Sequence, residues 1–108
     1  MASSVIKNTM HIVVNYSSAT RELILSTVNK VAMLYGSIFS GTSGISEDQA
    51  IIAYGIDASY CPSATVKCLA DGSDGHLYWF RVTTGGSLLA LMNVPANVTL
   101  NFFCSWKF

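Results

Sequence analysis

The last eleven residues of the chain constrain its fold more than any other feature. Apolar side chains occupy every second position, and most of the positions between them carry hydroxyl, amide or ammonium groups; the apolar set is Val98, Leu100, Phe102, Cys104, Trp106 and Phe108. Only Phe103 breaks this period of two. Because successive side chains of a strand point to opposite faces, the pattern predicts a strand with one buried face.

Further short segments have the composition of strands. Residues 76–82 are dense in aromatic and β-branched side chains, and Gly-containing turns flank them on both sides. Residues 10–15, 49–56, 64–69 and 87–93 are also predicted strands. No repeat or linker divides the sequence, so we predict one domain spanning residues 1–108. Short strands separated by Gly, Ser and Asn predict an all-β fold, an antiparallel β-sandwich.

Residues 20–36 carry two conflicting patterns. Apolar side chains recur at spacings of 4, 3 and 4, as on one face of a helix; they are Ile24, Val28, Val31 and Tyr35. The same segment is rich in β-branched residues, which favour two strands joined near Asn29-Lys30. Helix and hairpin both remain open on the residues alone.

The charge of the chain limits its partners. Only 11% of the residues are charged, against about 25% in an average soluble domain, and the formal net charge is zero. Such a chain has no basic field to hold nucleic acid or an anionic membrane. A surface this poor in charge fits a homo-oligomer, a membrane interface or a neutral ligand.

Motifs for catalysis and metal binding are missing from the sequence. Its two histidines, His11 and His76, belong to no HExxH motif, and the sequence contains no GxSxG, P-loop or GxGxxG. Residues 71–75 place two carboxylates at a calcium-like spacing but lack the distal Glu of an EF-hand, so they predict a hairpin turn. We therefore expect a protein that is not an enzyme and has no catalytic residues, cofactor or metal.

The cysteines and the N-terminus bear on the cellular compartment. Cys61 and Cys68 would close a small loop if oxidised, whereas buried free thiols are the alternative for them and for Cys104. Residues 1–10 lack the apolar core of a secretory signal. We expect a cytoplasmic protein, or one secreted without a conventional signal peptide.

The order of short motifs along the chain resembles that of the aegerolysins, small β-sandwich proteins common in fungi. Five segments carry the resemblance, which is collinear over residues 10–80; they are His11-Ile12-Val13-Val14-Asn15, Tyr35-Gly36-Ser37-Ile38-Phe39, Gly55-Ile56-Asp57-Ala58-Ser59, Leu69-Ala70-Asp71-Gly72 and Tyr78-Trp79. The family's Cys-Pro-Trp-Gly-Ser segment is replaced here by residues 80–85. The resemblance favours two strands over a helix at residues 20–36.

The resemblance implies a function in lipid recognition. Aegerolysins bind membrane lipids, typically in sphingolipid-containing bilayers, and several are the lipid-recognising component of a cytolysin with a pore-forming protein partner. The zero net charge of this chain fits neutral lipids better than anionic ones. The resemblance implies that Tyr78 and Trp79 are candidate lipid contacts, with Tyr35 and Asp57 as further candidates. Tyr78 and Trp79 are adjacent in a predicted strand, so their side chains point to opposite faces. We expect one ring in the core and the other at the surface. The alternative is a small β-sandwich lectin or self-assembling defence protein that binds glycans.

Overall fold

The fold of this chain is given by a computed structural model that describes residues 8–9, 23–52 and 54–108. The strands are β1 (Asn8–Thr9), β2 (Leu23–Val28), β3 (Val31–Phe39), β4 (Ala50–Ile52), β5 (Val66–Gly72), β6 (Leu77–Val82), β7 (Leu88–Ala90) and β8 (Thr99–Lys107). A single 3-10 turn, Ala58–Tyr60, is the one helical element in the described ranges. The strand predicted at residues 10–15, with His11, lies outside the described residues.

All eight strands join one sheet in the order β1-β2-β3-β8-β5-β6-β7-β4, and every neighbouring pair is antiparallel. The rings of Phe80 and Phe102 lie 4.8 Å apart although β5 runs between their strands. The single sheet is curled into a half-barrel, and its inner face holds the buried core. The predicted all-β, antiparallel architecture is confirmed.

The inner face of β5 makes this curl possible. From residue 68 onward its inner positions carry small residues, namely Cys68, Ala70 and Gly72, and all three are buried. The opposing positions on β6 and β8 carry large side chains that cover them, including Phe80 and Phe102. Alternating small and large side chains across neighbouring strands fills the core without voids.

Residues 23–39 form a hairpin, not a helix. β2 and β3 are joined by Asn29 and Lys30, whose φ angles of 50° and 65° are those of a two-residue type I′ turn. The helix-like spacing has a simple origin: Ile24 lies opposite Tyr35 and Val28 opposite Val31, so these four residues are cross-strand partners on one face. The hairpin alternative is confirmed.

The C-terminal strand has the predicted alternation. Four side chains of β8 are buried on the inner face, namely Leu100, Phe102, Cys104 and Trp106. Phe103, which interrupts the pattern, is 67% exposed on the outer face. The strand predicted at residues 49–56 is shorter, because β4 ends at Ile52.

The three cysteines are free thiols. Cys68 and Cys104 are buried on neighbouring strands, whereas Cys61 is half-buried, so the loop-closing bond between Cys61 and Cys68 is not formed. A hydrogen bond with the Cys104 thiol, together with burial, raises the pKa of Cys68. The expectation of buried free thiols holds for this pair.

We expect Lys30→Gly to stabilise the fold by about 0.5–1 kcal/mol, because Lys30 has a positive φ that costs a residue with a Cβ more than it costs glycine. Urea unfolding measures the change. Lys30→Ala removes the same charge but keeps the Cβ, so it serves as the control. A glycine variant no more stable than the alanine variant would contradict the expectation.

Candidate functional site

A row of apolar side chains crosses the outer face of the sheet. We call it the outer row: Ile24, Tyr35, Phe103, Leu69 and Trp79. Each member lies directly opposite the next across the strands β2, β3, β8, β5 and β6. Neighbouring strands lie about 4.8 Å apart, so the row is about 19 Å long.

The outer row is exposed at two of its three rings. Phe103 is 67% exposed and Trp79 is 44% exposed, and the other three members are half-buried. Leu77, two residues before Trp79 and on the same face of β6, is 54% exposed. Single exposed apolar residues are ordinary, but a contiguous group of them marks a surface that meets something other than water.

Polar side chains border the outer row on one side. Ser37 lies opposite Asn101, and Asn101 lies opposite Asp71, so the next line of outer-face positions is hydrophilic on β3, β8 and β5, before it reaches Leu77 on β6. These three residues follow the row across β3, β8 and β5. An apolar band with a hydrophilic margin is typical of a docking surface.

The other side of the row includes two cations. Lys67 and Arg81 lie opposite each other on β5 and β6, one pair along from Leu69 and Trp79. The Nζ atom of Lys67 is 5.9 Å from the centre of the Trp79 ring, within the range of a cation–π contact. The face therefore places positive charge next to its exposed indole.

Two of the four residues proposed as lipid contacts lie in the outer row. Trp79 is the last member of the row and Tyr35 is the second. The Tyr35 hydroxyl lies 3.3 Å from the Ser26 hydroxyl. Phe103 and Leu69 connect them. The row thus brings Trp79 and Tyr35 onto one surface.

Tyr78 lies on the opposite face from Trp79. Its side chain is 4% exposed, and its hydroxyl donates a hydrogen bond to the Oδ2 atom of Asp74 in the turn between β5 and β6. The prediction that one ring of this pair is in the core and the other at the surface is confirmed. The structure does not bring Tyr78 to the outer row.

Asp57 is not a member of the outer row. It caps the 3-10 turn, where its Oδ1 atom accepts a hydrogen bond of 2.9 Å from the backbone N–H of Ser59. This bond lowers the pKa of Asp57. The geometry gives this carboxylate a capping function.

Sequence reasoning missed three members of the outer row, namely Phe103, Leu69 and Ile24. The signal for Phe103 was present, because its ring breaks the alternation on what would otherwise be a polar face. Leu69 and Ile24 gave no such signal, since their membership depends on the register between strands distant in sequence.

The described residues carry neither a metal centre nor a membrane-spanning helix. Within residues 23–52 and 54–108, no three His, Cys, Asp or Glu side chains are grouped so that they could hold a metal ion. In the same part of the chain, no helix has the length and apolar character needed to cross a bilayer.

The bond between Tyr78 and Asp74 predicts a pH-dependent stability. It lowers the pKa of Asp74 and raises that of Tyr78 to about 12. The contribution of the bond is present between the ordinary values of 3.8 and 10.0, and it is lost as the pH falls through the lowered pKa of Asp74 or rises toward about 12.

We therefore expect Tyr78→Phe to reduce the free energy of unfolding at about pH 7 and to have a smaller effect near pH 2.5. Urea unfolding of both proteins at the two pH values measures the difference. Tyr54→Phe removes an exposed hydroxyl and serves as the control. An equal loss of unfolding free energy at both pH values would show that the Asp74 carboxylate does not stabilise the Tyr78 hydroxyl.

Comparison with known proteins does not identify a family. No protein-family model matches the chain, and no curated protein matches it. The resemblance to aegerolysins therefore stays a prediction.

Proposed function

We propose that this chain is a non-enzymatic membrane-lipid-binding protein that docks on a bilayer through its outer row. The observation that carries the proposal is the continuous row across five strands, with Phe103 and Trp79 exposed. Aromatic rings are enriched at membrane–water interfaces, where Trp combines an apolar body with a polar N–H. The hydrophilic margin beside the row would remain among the headgroups.

The size of the row sets the strength of docking. Full burial of a Phe-sized side chain contributes about 1.5–3 kcal/mol. Since Phe103 is 67% exposed and Trp79 is 44% exposed, the two rings together supply about 2–3 kcal/mol. Docking through the rings alone is therefore weak and reversible, and stable attachment needs a headgroup contact or several copies of the chain acting together.

The charge of the chain favours neutral or zwitterionic lipids. The net charge is zero, so a negatively charged bilayer exerts no general attraction on the protein. The aegerolysin resemblance supports a sphingolipid-type ligand and a role as the lipid-recognising component of a cytolysin with a pore-forming partner. The exposed position of Trp79, one of the residues carried over from that resemblance, supports this reading further.

A lectin or glycan-binding defence protein is the alternative that uses the same rings. Aromatic rings also stack on sugars, and Asn101 beside the row offers an amide for hydroxyl groups. Immobilised glycans therefore serve as competing ligands to vesicles in the binding test.

We expect Trp79→Ala and Phe103→Ala each to weaken partitioning onto vesicles of sphingomyelin and cholesterol by about 5–10-fold, because each removes an exposed ring from the row. Co-sedimentation with the vesicles measures partitioning, and circular dichroism verifies the fold. Tyr54→Ala is the matched control, since Tyr54 is 80% exposed but lies outside the row.

Two outcomes would contradict the proposal. One is unchanged vesicle binding by a folded variant that lacks both rings. The other is capture of the wild-type protein by immobilised glycans with no retention on vesicles, which would favour the lectin alternative.

A further inference from the structure

We propose that Lys67 and Arg81 form a subsite for the phosphate group of a zwitterionic phospholipid headgroup. The inference rests on the proposed function, because it assigns the headgroup contact of the same docking face. It also supplies the additional attraction that two partly exposed rings do not provide by themselves.

The two cations lie directly opposite each other. Lys67 of β5 pairs with Arg81 of β6 on the outer face. Side chains at such positions have Cβ atoms about 4.5–5.5 Å apart, and like charges placed there destabilise the sheet. An anion bound between them would remove this repulsion.

The protein itself neutralises the pair only in part. In the part of the chain that the structure describes, Asp48 is the acidic partner of Arg81, and its Oδ1 atom is 3.7 Å from the Nη2 atom of Arg81, which is too long for a hydrogen bond. The Asp48 side chain is 70% exposed, so water weakens the interaction further. The cationic pair with this one carboxylate retains a net positive charge.

Arg81 also has an unused donor. Its Nε atom is buried and has no hydrogen-bond partner. An unsatisfied buried donor is unfavourable, and a guanidinium that turned its Nε–H edge toward an acceptor on the outer face would satisfy it. Phosphate oxygens are suitable acceptors, because a guanidinium group binds phosphate through two parallel hydrogen bonds.

The position of the pair relative to the row identifies the source of the phosphate. The ammonium group of Lys67 lies 5.9 Å from the centre of the Trp79 ring. An indole that enters a bilayer stays at the level of the headgroups, so a cation beside it meets lipid phosphate. A zwitterionic lipid offers that phosphate without net charge, which agrees with the zero net charge of the chain.

The test compares two kinds of vesicle, one of phosphatidylcholine and one of digalactosyldiacylglycerol, which forms bilayers without phosphate. We expect the wild-type protein to bind the first about tenfold more tightly. A variant with Lys67→Gln and Arg81→Gln should lose this preference and bind both vesicles equally. Lys107→Gln removes a charge from another exposed position on β8 and should leave the preference intact.

The outcomes separate this inference from the proposed function. If the wild type binds neither of these vesicles but is retained on vesicles of sphingomyelin and cholesterol, the phosphate subsite is overturned and the proposed function stands. If it binds none of the three, both fail. If it binds both and the double variant keeps the wild-type preference, only the phosphate subsite is overturned. A preference for the galactolipid also overturns the subsite and favours a glycan ligand.

Inorganic phosphate distinguishes a lipid site from a site for free phosphate. We expect the backbone amide signals of Lys67 and Arg81 in nitrogen-15 correlation spectra to change little with inorganic phosphate and to change strongly with phosphatidylcholine nanodiscs. Saturable shifts with inorganic phosphate, accompanied by no vesicle preference, would overturn the lipid assignment.

Discussion

The small inner face of β5 is the constraint on which the rest of the structure depends. Ala70 lies opposite both Tyr78 and Phe102, and Gly72 lies opposite Leu100, so the bulk of the core comes from the strands on either side. A Cβ atom at Gly72 would lie 2.8 Å from the Tyr78 ring, which leaves no room for a larger residue. The large side chains of β6 and β8 meet over β5 because the inner residues of β5 occupy so little of the interior.

The outer row depends in turn on strand register. A slip of one residue would move an entire strand's side chains to the opposite face, and the row would be broken. The Asn29-Lys30 turn fixes β2 against β3. Buried Ser40 fixes the start of β8, since its hydroxyl donates to the Pro95 carbonyl and accepts from the Val98 N–H. The alignment of the row therefore depends on a turn and on hydrogen bonds of residues that are not members of the row.

The sequence predicted what depends on local alternation. The period of two identified the buried face of β8, and it separated Tyr78 from Trp79. It failed to separate helix from hairpin at residues 20–36, because facing pairs in a tight hairpin reproduce the spacing of a helix. No local pattern reveals which strands become neighbours, and this is why Leu69 was missed. The same limit applies to the cysteines: Cys61 and Cys68 are close in sequence, but it is Cys68 and Cys104 that interact.

The curl of the sheet links the interior to the surface in a way that matters for engineering. Ala70 of β5 lies opposite Tyr78 of β6 and Phe102 of β8 on the inner face, so we expect a bulkier residue at this position to shift the two flanking strands. Trp79 and Phe103 are carried by the same two strands, so their spacing on the outer face would change although neither had been altered. Substitutions sealed in the core are thus a means of adjusting how this protein fits a flat or a curved surface.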